Sequence, residues 1–355
     1  MKKYFLLIFF VLVTSCQKEE NDDQTTEPVW KTKQFDFNHN GLVRTYILHK
    51  PENFVENSPL VFVLHGFTSS ASNIMSYSQM NKIADENGFM VCYPQGTALS
   101  TGQTHWNANL EMSSIDDIGF LSQLVSKIQT SFKTNPNNTF VSGMSNGGFM
   151  SYKLACELSD KIAAVASVTG SMNESQLSSC FPQQSVPVMQ IHGTTDLVVL
   201  YDGNEFLETL PIEDVVSYWV AFNECDMDPV VTNVPDINIV DLSQAEHYLY
   251  DNGLNGASVE FYKIINGGHT WPGALIPLTG NNTNQDINAS EKIWEFFKKY
   301  DINGLVTPNS NTLEQESINK QLIKRFDVLG RNCMHANMYI DIFNDGSIDK
   351  KILID

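Results

Sequence analysis

The chain has 355 residues, with 22 Lys and Arg against 41 Asp and Glu, and its formal net charge at pH 7 is −19. This acidic balance argues against nucleic acid and against anionic lipid surfaces as partners. The length accommodates one α/β core of about 250–270 residues with appendages at its ends.

The N-terminus has the composition of a targeting segment. Two lysines precede an apolar run over 4–13, which is too short to span a bilayer. The run ends in V-T-S-C, which resembles a bacterial lipobox, so 1–16 is predicted to be a lipoprotein signal peptide with a lipid on Cys16; a plain secretory signal is the alternative. Residues 17–30 are polar and acidic and are predicted to be a disordered tether. The protein is therefore expected outside the cell or at the outer-membrane surface, where it touches the membrane only through Cys16.

Strand-like apolar runs alternate with helix-like segments along most of the chain. Strands are predicted at 43–49, 60–64, 89–93, 138–142, 164–168, 187–191 and 258–264, and helices at 73–87, 117–132, 147–158, 212–223 and 286–300. This alternation is typical of an α/β fold, with a mostly parallel sheet and helices on both of its faces. We predict that 31–303 forms one domain.

A glycine-flanked serine follows one of the predicted strands. The stretch G-M-S-N-G over 143–147 lies between an apolar run over 139–141 and a helix-like run over 149–158. Strand, sharp turn and helix form the context in which G-x-S-x-G is a nucleophile elbow. We therefore predict that Ser145 is exposed at the turn as a catalytic nucleophile; the alternative is a glycine turn that carries a surface serine.

Two later strands end in residues that suit a catalytic acid and base. Asp196 follows the strand at 187–191, and His269 lies on a glycine-rich loop after the strand at 258–264. A serine hydroxyl needs a base to remove its proton, so we predict that His269 is that base and that Asp196 orients it. The alternatives, which fit the order Ser, acid, His less closely, are Asp202, His192 and His247.

Acyl transfer also needs donors for a developing oxyanion. The strand at 60–64 is followed by H-G-F, and hydrolases with this elbow take one donor from a loop after an early strand. We predict that the backbone N–H groups of Phe67 and Asn146 form the oxyanion hole. His65 is expected to hold the loop through hydrogen bonds.

As a set, these motifs resemble the secreted polyhydroxybutyrate depolymerase and feruloyl esterase group of α/β-hydrolases, which overlaps carbohydrate esterase family one. The matching motifs are L-H-G at 64–66, Y-P-Q-G at 93–96, H-W-N at 105–107, D-D-I-G-F at 116–120, the elbow at 143–147, H-G-T-x-D at 192–196 and G-G-H-T-W-P-G at 267–273. In that family the residues at these positions form the triad, which agrees with Ser145, Asp196 and His269. Phe67 stands where many depolymerases carry cysteine.

The resemblance implies a secreted serine carboxylesterase that hydrolyses feruloyl or acetyl esters of polysaccharides. The alternative enzyme is a polyhydroxybutyrate or polyester depolymerase, and the non-enzyme alternative is a surface glycan-binding lipoprotein with a relic hydrolase fold. Trp106 and Trp271 are candidate aromatic walls of the substrate pocket, and simple packing is their alternative role. No cofactor and no metal are expected, because the sequence has no C-x-x-C pair, no His/Cys cluster and no glycine-rich phosphate loop.

Six cysteines occur, one of them in the lipobox. Cys180 and Cys225 lie in loop-like sequence on either side of the strand at 187–191, and we predict that they pair as a disulfide in an oxidising compartment. Cys92 falls within a predicted strand and Cys156 within a predicted helix, so both are expected to be buried thiols.

The sequence changes character after residue 303. Residues 304–318 are polar and are predicted to be a linker. Residues 319–355 contain D-V-L-G-R and end near D-G-S-x-x-K-K, which resemble C-terminal sorting tails of type nine secretion cargo. The N-D-G at 344–346, between alternating apolar residues, indicates a hairpin. We predict a small β-rich tail, which either directs sorting or packs on the hydrolase domain.

Overall fold

The computed structural model describes residues 31–110, 112–275, 282–306, 322–327, 338–343 and 348–352. Cys16, the predicted leader and the predicted tether lie outside these residues, as does most of the predicted linker. Within the described ranges, no helix combines the length and the apolar character needed to cross a membrane.

A ten-stranded sheet occupies the centre of the domain. Its strands are β1 (Thr32–His39), β2 (Leu42–His49), β3 (Leu60–Leu64), β4 (Met90–Pro94), β7 (Thr139–Met144), β8 (Ala164–Val168), β9 (Val188–Gly193), β10 (Val230–Asn233), β11 (Gln244–Tyr250) and β12 (Val259–Ile265). Their order across the sheet is β1-β2-β4-β3-β7-β8-β9-β12-β11-β10. The six central strands are parallel, and each edge is completed by two strands in antiparallel pairings. All seven predicted strands are present.

Short pairs of strands and a few helices complete the domain. The helices are α1 (Ala71–Ser78), α2 (Met80–Asn87), α3 (Asp117–Phe132), α4 (Asn146–Glu157), α5 (Glu174–Ser178), α6 (Ile212–Phe222) and α7 (Ala289–Phe297), with a 3-10 turn at Leu254–Gly256. The two-residue strands are β5 (Thr97–Ala98), β6 (Thr104–His105), β13 (Tyr300–Asp301) and β14 (Gly304–Leu305), paired as β5–β6 and β13–β14.

The helix predicted over 73–87 is two helices in the structure. Gln79 adopts a left-handed conformation with φ 54°, and its N–H caps α1 by donating to the Met75 carbonyl. The chain therefore restarts as α2 in a new direction. No glycine or proline marks this break, which explains why the sequence pattern reads as one helix.

Two apolar cores lie on opposite faces of the sheet. Alternate residues of β3 divide between them: Leu60, Phe62 and Leu64 face one core, and Val61 and Val63 face the other. Buried residues of α3, α4 and α6 belong to the first core, and those of α1, α2 and α7 to the second. This two-sided burial explains the continuous apolar runs of the central strands and confirms the predicted α/β fold.

The edge strands β1 and β10 are absent from the sequence-based prediction. Their side chains are mostly exposed, and all four residues of β10 are exposed. In β1 only Phe35 and Phe37 pack against the first core, from alternate positions between exposed polar residues, and neither edge strand contains a long apolar run.

The described parts of the C-terminal tail form a three-stranded antiparallel sheet. Its strands are β15 (Leu322–Asp327), β16 (Met338–Phe343) and β17 (Ile348–Ile352), in that order. Strands β16 and β17 pair on either side of 344–347, the position of the predicted N-D-G hairpin turn. The tail is therefore β-rich, as predicted, while its role in sorting stays a prediction.

The predicted disulfide between Cys180 and Cys225 is wrong. Cys180 is bonded to Cys156, and the two Cα atoms are 4.7 Å apart. Cys156 lies in the last turn of α4, where its side chain meets the loop that follows α5. The prediction that Cys156 is a buried free thiol is therefore also wrong. Cys225 is buried with its Sγ 3.6 Å from the Ala257 carbonyl oxygen, and Cys92 is a buried thiol as predicted.

Loss of the Cys156–Cys180 bond should destabilise the domain. A bridge across a sequence separation of 24 residues restricts the unfolded chain, so Cys180→Ser should lower the free energy of unfolding by about 3 kcal/mol in urea titrations. Cys225→Ser is the matched control and should keep the bridge. Peptide mapping without reduction checks the pairing, and a Cys180–Cys225 peptide would contradict it.

Candidate active site

Ser145 stands alone between a strand and a helix. It follows β7 and precedes α4, with φ 56° and ψ −122°, a strained conformation for a residue with a side chain. Its carbonyl accepts hydrogen bonds from the N–H groups of Gly148 and Phe149, and its own N–H donates to the Val168 carbonyl. The turn is therefore fixed by backbone bonds that leave the hydroxyl to project from the end of the strand.

The two glycines of the motif are required by packing. A Cβ on Gly143 would collide with the Gly147 carbonyl, and a Cβ on Gly147 would collide with the carbonyl oxygens of Leu64 and His65. Strand β7, helix α4 and the loop after β3 thus approach each other more closely than side chains allow. This contact brings the serine turn against the predicted oxyanion loop.

Asp196 and His269 are joined by a direct hydrogen bond. His269 Nδ1 lies 2.7 Å from Asp196 Oδ2, and the Asp196 side chain is fully buried. Asp196 Oδ1 accepts hydrogen bonds from the N–H groups of Val198 at 2.8 Å and Val199 at 2.9 Å. Asp196 follows β9 and His269 follows β12, which are neighbouring parallel strands, so their carboxyl ends deliver both groups to one edge of the sheet.

Two of the three alternatives lie away from Asp196, and the third, His192, is buried beside it. Asp202 is exposed, and His247 on β11 has its Nε2 2.9 Å from Glu260 Oε2. His192 is fully buried on β9, with its Nε2 3.4 Å from Asp196 Oδ2. Burial lowers the pKa of His192.

Ser145 and His269 line one cavity of about 670 Å³. Its described lining consists of Gly66, Phe67, Thr68, Ser69, Asn73, Ile74, Ser76, Tyr77, Gln79, Met144, Ser145, His269 and Leu275. Phe67 and Leu275 are exposed at this cavity, with 41% and 77% of their surface accessible. The described lining contains no Asp, Glu, Lys or Arg.

The predicted oxyanion loop packs directly on the serine. A Cβ on Gly66 would lie 3.3 Å from Ser145 Cβ. Across the described residues, no acceptor is hydrogen bonded to the backbone N–H of Phe67 or of Asn146. Among the described residues, both N–H groups therefore lack a protein acceptor, as the predicted oxyanion hole requires.

His65 holds this loop in place. Its Nε2 accepts hydrogen bonds from the Gly96 N–H at 2.9 Å and from Gln95 Nε2 at 3.0 Å, which leaves the proton on Nδ1, 2.8 Å from the Gly66 carbonyl. Burial lowers the pKa of His65 to about 4. The His65 ring is therefore neutral and holds the loop through hydrogen bonds, which agrees with its predicted structural role.

The two tryptophans predicted to line the substrate pocket do not reach it. Trp106 is fully buried, its Nε1 donates to the His65 carbonyl, and its backbone makes two hydrogen bonds with the Asn146 side chain. Trp271 is also buried, and its Nε1 donates to Ser290 Oγ. Both rings carry a polar N–H that finds an internal acceptor, and neither residue is among the described lining of the cavity, so packing, their alternative role, is what the structure shows.

Helix α1 forms a wall of the cavity that sequence reasoning missed. It contributes Asn73, Ile74, Ser76 and Tyr77. The Tyr77 hydroxyl accepts a hydrogen bond from the Trp271 N–H at 3.2 Å, which ties this wall to the loop that carries His269. Helix α1 has no catalytic motif, and only the fold brings it to the site.

A metal centre finds no support in the part of the chain that the structure describes. No group of three or more His, Cys, Asp or Glu side chains lies in an arrangement that could hold an ion there. The acidic side chain of the site, Asp196, is already occupied by backbone N–H groups and by His269.

Several known proteins are similar to this chain. Residues 44–233 match the family model described as esterase PHB depolymerase. The chain is 26% identical over 272 residues to a bifunctional acetylxylan esterase/xylanase of Neocallimastix patriciarum, covering 76% of this chain and 35% of that protein. It is 28% identical over 237 residues to feruloyl esterase B of Piromyces equi, covering 64% of this chain and 42% of that protein. The chain thus spans less than half the length of these two relatives.

A solved structure shares the fold. The acetyl xylan esterase from Aspergillus awamori superposes with a TM-score of 0.55 over 75% of this chain and 98% of that chain, at 16% sequence identity. At this identity the likeness concerns the fold alone.

The buried His65 should make stability depend on pH. Its pKa of about 4 in the folded state lies below the ordinary 6.5, so the unfolded chain binds the proton more readily and stability falls as pH drops from 6.5 to 4. The loss should reach about 2–3 kcal/mol between pH 7 and pH 4.5. His65→Gln cannot titrate there, so urea titrations should show a shallower pH dependence by that amount. Equal pH dependence in the two proteins would contradict the assignment.

Proposed function

The chain belongs to the esterase PHB depolymerase family, and from this membership we propose that it is a carboxylic ester hydrolase that forms an acyl-enzyme on Ser145. The observation that carries the proposal is the hydrogen bond between His269 Nδ1 and Asp196 Oδ2, beside a cavity that Ser145 and His269 both line. The strained conformation of Ser145 and the two available backbone donors support the same chemistry.

The proposed reaction begins when His269 Nε2 takes the proton of Ser145 as its Oγ attacks the ester carbonyl. The oxyanion that forms receives hydrogen bonds from the N–H groups of Phe67 and Asn146. The intermediate collapses, and the leaving alcohol takes its proton from the imidazolium of His269. A water molecule then attacks the acyl-enzyme, with His269 again as the base, and the acid is released. Throughout, Asp196 holds the proton-bearing Nδ1 and stabilises the imidazolium.

The proposed substrates are feruloyl or acetyl esters of polysaccharides. The names of the two relatives, an acetylxylan esterase/xylanase and a feruloyl esterase, support this class. The cavity of about 670 Å³ has the size of a ligand pocket, about 300–1,000 Å³, and is far larger than an acetyl group. Apolar side chains at Phe67, Ile74 and Leu275 suit an aromatic acyl group, so we favour the feruloyl ester. Export, with a lipid on Cys16, remains part of the proposal on the basis of the leader sequence.

A polyester depolymerase is the second candidate, because the matching family model is described by that activity. A product assay with methyl ferulate, acetylated xylan and polyhydroxybutyrate separates the candidates. Release of ferulate as the fastest reaction supports the main proposal, whereas release of 3-hydroxybutyrate alone would replace it with the depolymerase.

Substitution of the proposed triad should remove activity without unfolding the protein. Ser145→Ala should leave no measurable turnover of p-nitrophenyl acetate above its spontaneous hydrolysis in buffer. Asp196→Asn should lower kcat by about three to four orders of magnitude, because it disturbs the tautomer of His269. Thermal unfolding of Ser145→Ala should match the parent. Asp202→Asn is the control and should keep its activity; a loss there with an unaffected Asp196→Asn would move the acid to Asp202.

The uncharged lining should select neutral esters. A carboxylate entering the cavity meets no described cation there and approaches a protein of net charge −19. We expect kcat/KM for p-nitrophenyl butyrate to exceed that for the p-nitrophenyl hemiester of succinate by about tenfold or more, with a gap that narrows as salt is added. The two substrates have the same chain length, so equal kcat/KM at low salt would contradict this account of the cavity.

A further inference from the structure

Three buried polar side chains lie between the nucleophile helix and the turn that carries Asp196. Tyr152 is on α4, and Gln190 and His192 are on β9, two residues apart and therefore on one face of the strand. All three are fully buried. The reaction proposed above uses none of them.

Hydrogen-bond directions along these side chains are fixed by the groups that they meet. Gln190 Nε2 lies 2.8 Å from the Gly170 carbonyl, which can only accept, and 3.0 Å from His192 Nδ1. The amide nitrogen therefore donates to both. Gln190 Oε1 is left as an acceptor, and the Tyr152 hydroxyl donates to it at 2.5 Å.

This arrangement sets the tautomer of His192. Since Nδ1 accepts from Gln190, the proton of the neutral ring is on Nε2, which lies 2.9 Å from the Val199 carbonyl and donates to it. The direction of the pKa shift agrees, because burial favours the neutral ring.

The chain of bonds ends at the carboxylate that holds the proposed base. The N–H of Val199 donates to Asp196 Oδ1, while the Val199 carbonyl accepts from His192. The Asp196 turn is thus held from two sides. His192 Nε2 also lies 3.4 Å from Asp196 Oδ2, the oxygen that binds His269.

We propose that Tyr152, Gln190 and His192 form a positioning chain that keeps the Asp196 carboxylate aimed at His269 and keeps His192 neutral beside it. This inference rests on the proposed function of Ser145, Asp196 and His269. None of these three residues is among the described lining of the cavity that Ser145 and His269 share.

Neutrality of His192 matters because of its neighbours. Besides Gln190 and the backbone carbonyls of Val199 and Gly170, the titratable side chains that face it are Asp196, His269 and Tyr201. An imidazolium at this point would compete with His269 for the charge of Asp196. A His192 ring with its proton on Nδ1 would lose the bond to Val199 and release one side of the turn.

A pair of tyrosine variants separates positioning from simple packing. Tyr152→Phe removes one buried hydroxyl from the positioning chain. Tyr93→Phe also removes one buried hydroxyl, which donates to Asn81 Oδ1 at 2.7 Å and does not belong to the positioning chain. Both should lower Tm by similar amounts. Only Tyr152→Phe should lower kcat, by about three- to tenfold with KM unchanged, because the interaction acts on the transition state through Asp196. Equal kcat values in the two variants would overturn the proposal.

Substitutions at His192 provide a second, independent test of the positioning role. His192→Leu has no donor for Val199 and should lower kcat by about 10²-fold at constant KM. His192→Gln keeps an N–H at the corresponding position and should recover most of that loss. A His192→Leu variant with parental kcat, or a His192→Gln variant no better than His192→Leu, would contradict the positioning role.

The tautomer can be read without any activity measurement. In ¹⁵N-histidine spectra of the parent protein at pH 7, His192 should be neutral with its proton on Nε2, and Tyr152→Phe should disturb that signal. A His192 ring with its proton on Nδ1 would contradict the proposed hydrogen-bond directions. Failure of the proposed function is distinct, because it would appear as a parent protein with no esterase activity, whatever the state of His192.

Discussion

The close contact between the serine turn and the loop after β3 is the constraint on which the site depends. A Cβ on Gly147 would collide with the carbonyls of Leu64 and His65, and a Cβ on Gly66 would crowd Ser145, so the two segments pack more closely than larger residues would allow. Beside this contact Ser145 has a positive φ of 56°, and Phe67 lines the same cavity as Ser145. The strain is tolerated because backbone hydrogen bonds, the neutral His65 ring and the buried Trp106 fix the surroundings. The polar groups at the site are thereby organised before a substrate arrives.

Much of the fold could be predicted from the sequence, because the central strands are buried on both faces and their apolar runs have one interpretation. The proposed triad could be located for the same reason: each motif follows a recognisable strand, and parallel strands bring their carboxyl ends to one edge. Features without a local signal were missed. The break at Gln79 has no helix-breaking residue, and the strands β1 and β10 are mostly exposed and contain no long apolar run.

The corrections share a physical cause, which is that a residue type does not reveal its partner. Trp106 and Trp271 lie next to motif residues in sequence, yet their indole N–H groups find internal acceptors and both rings are buried. Cys180 is bonded to a cysteine at the end of a helix and not to Cys225. The cavity instead has a wall from α1, which joins the site only through tertiary packing. Part of the cavity wall therefore comes from a segment that the motifs do not mark.

The central claim is that Ser145 is the nucleophile of an esterase, and covalent trapping tests it most directly. Incubation with diethyl p-nitrophenyl phosphate should release one equivalent of p-nitrophenol, abolish activity, and place a diethyl phosphoryl group on the peptide that contains Ser145, as identified by mass spectrometry. Prior occupation of the cavity by methyl ferulate should slow the labelling. An adduct on a different serine with loss of activity, or full esterase activity with Ser145 quantitatively labelled, would contradict the account.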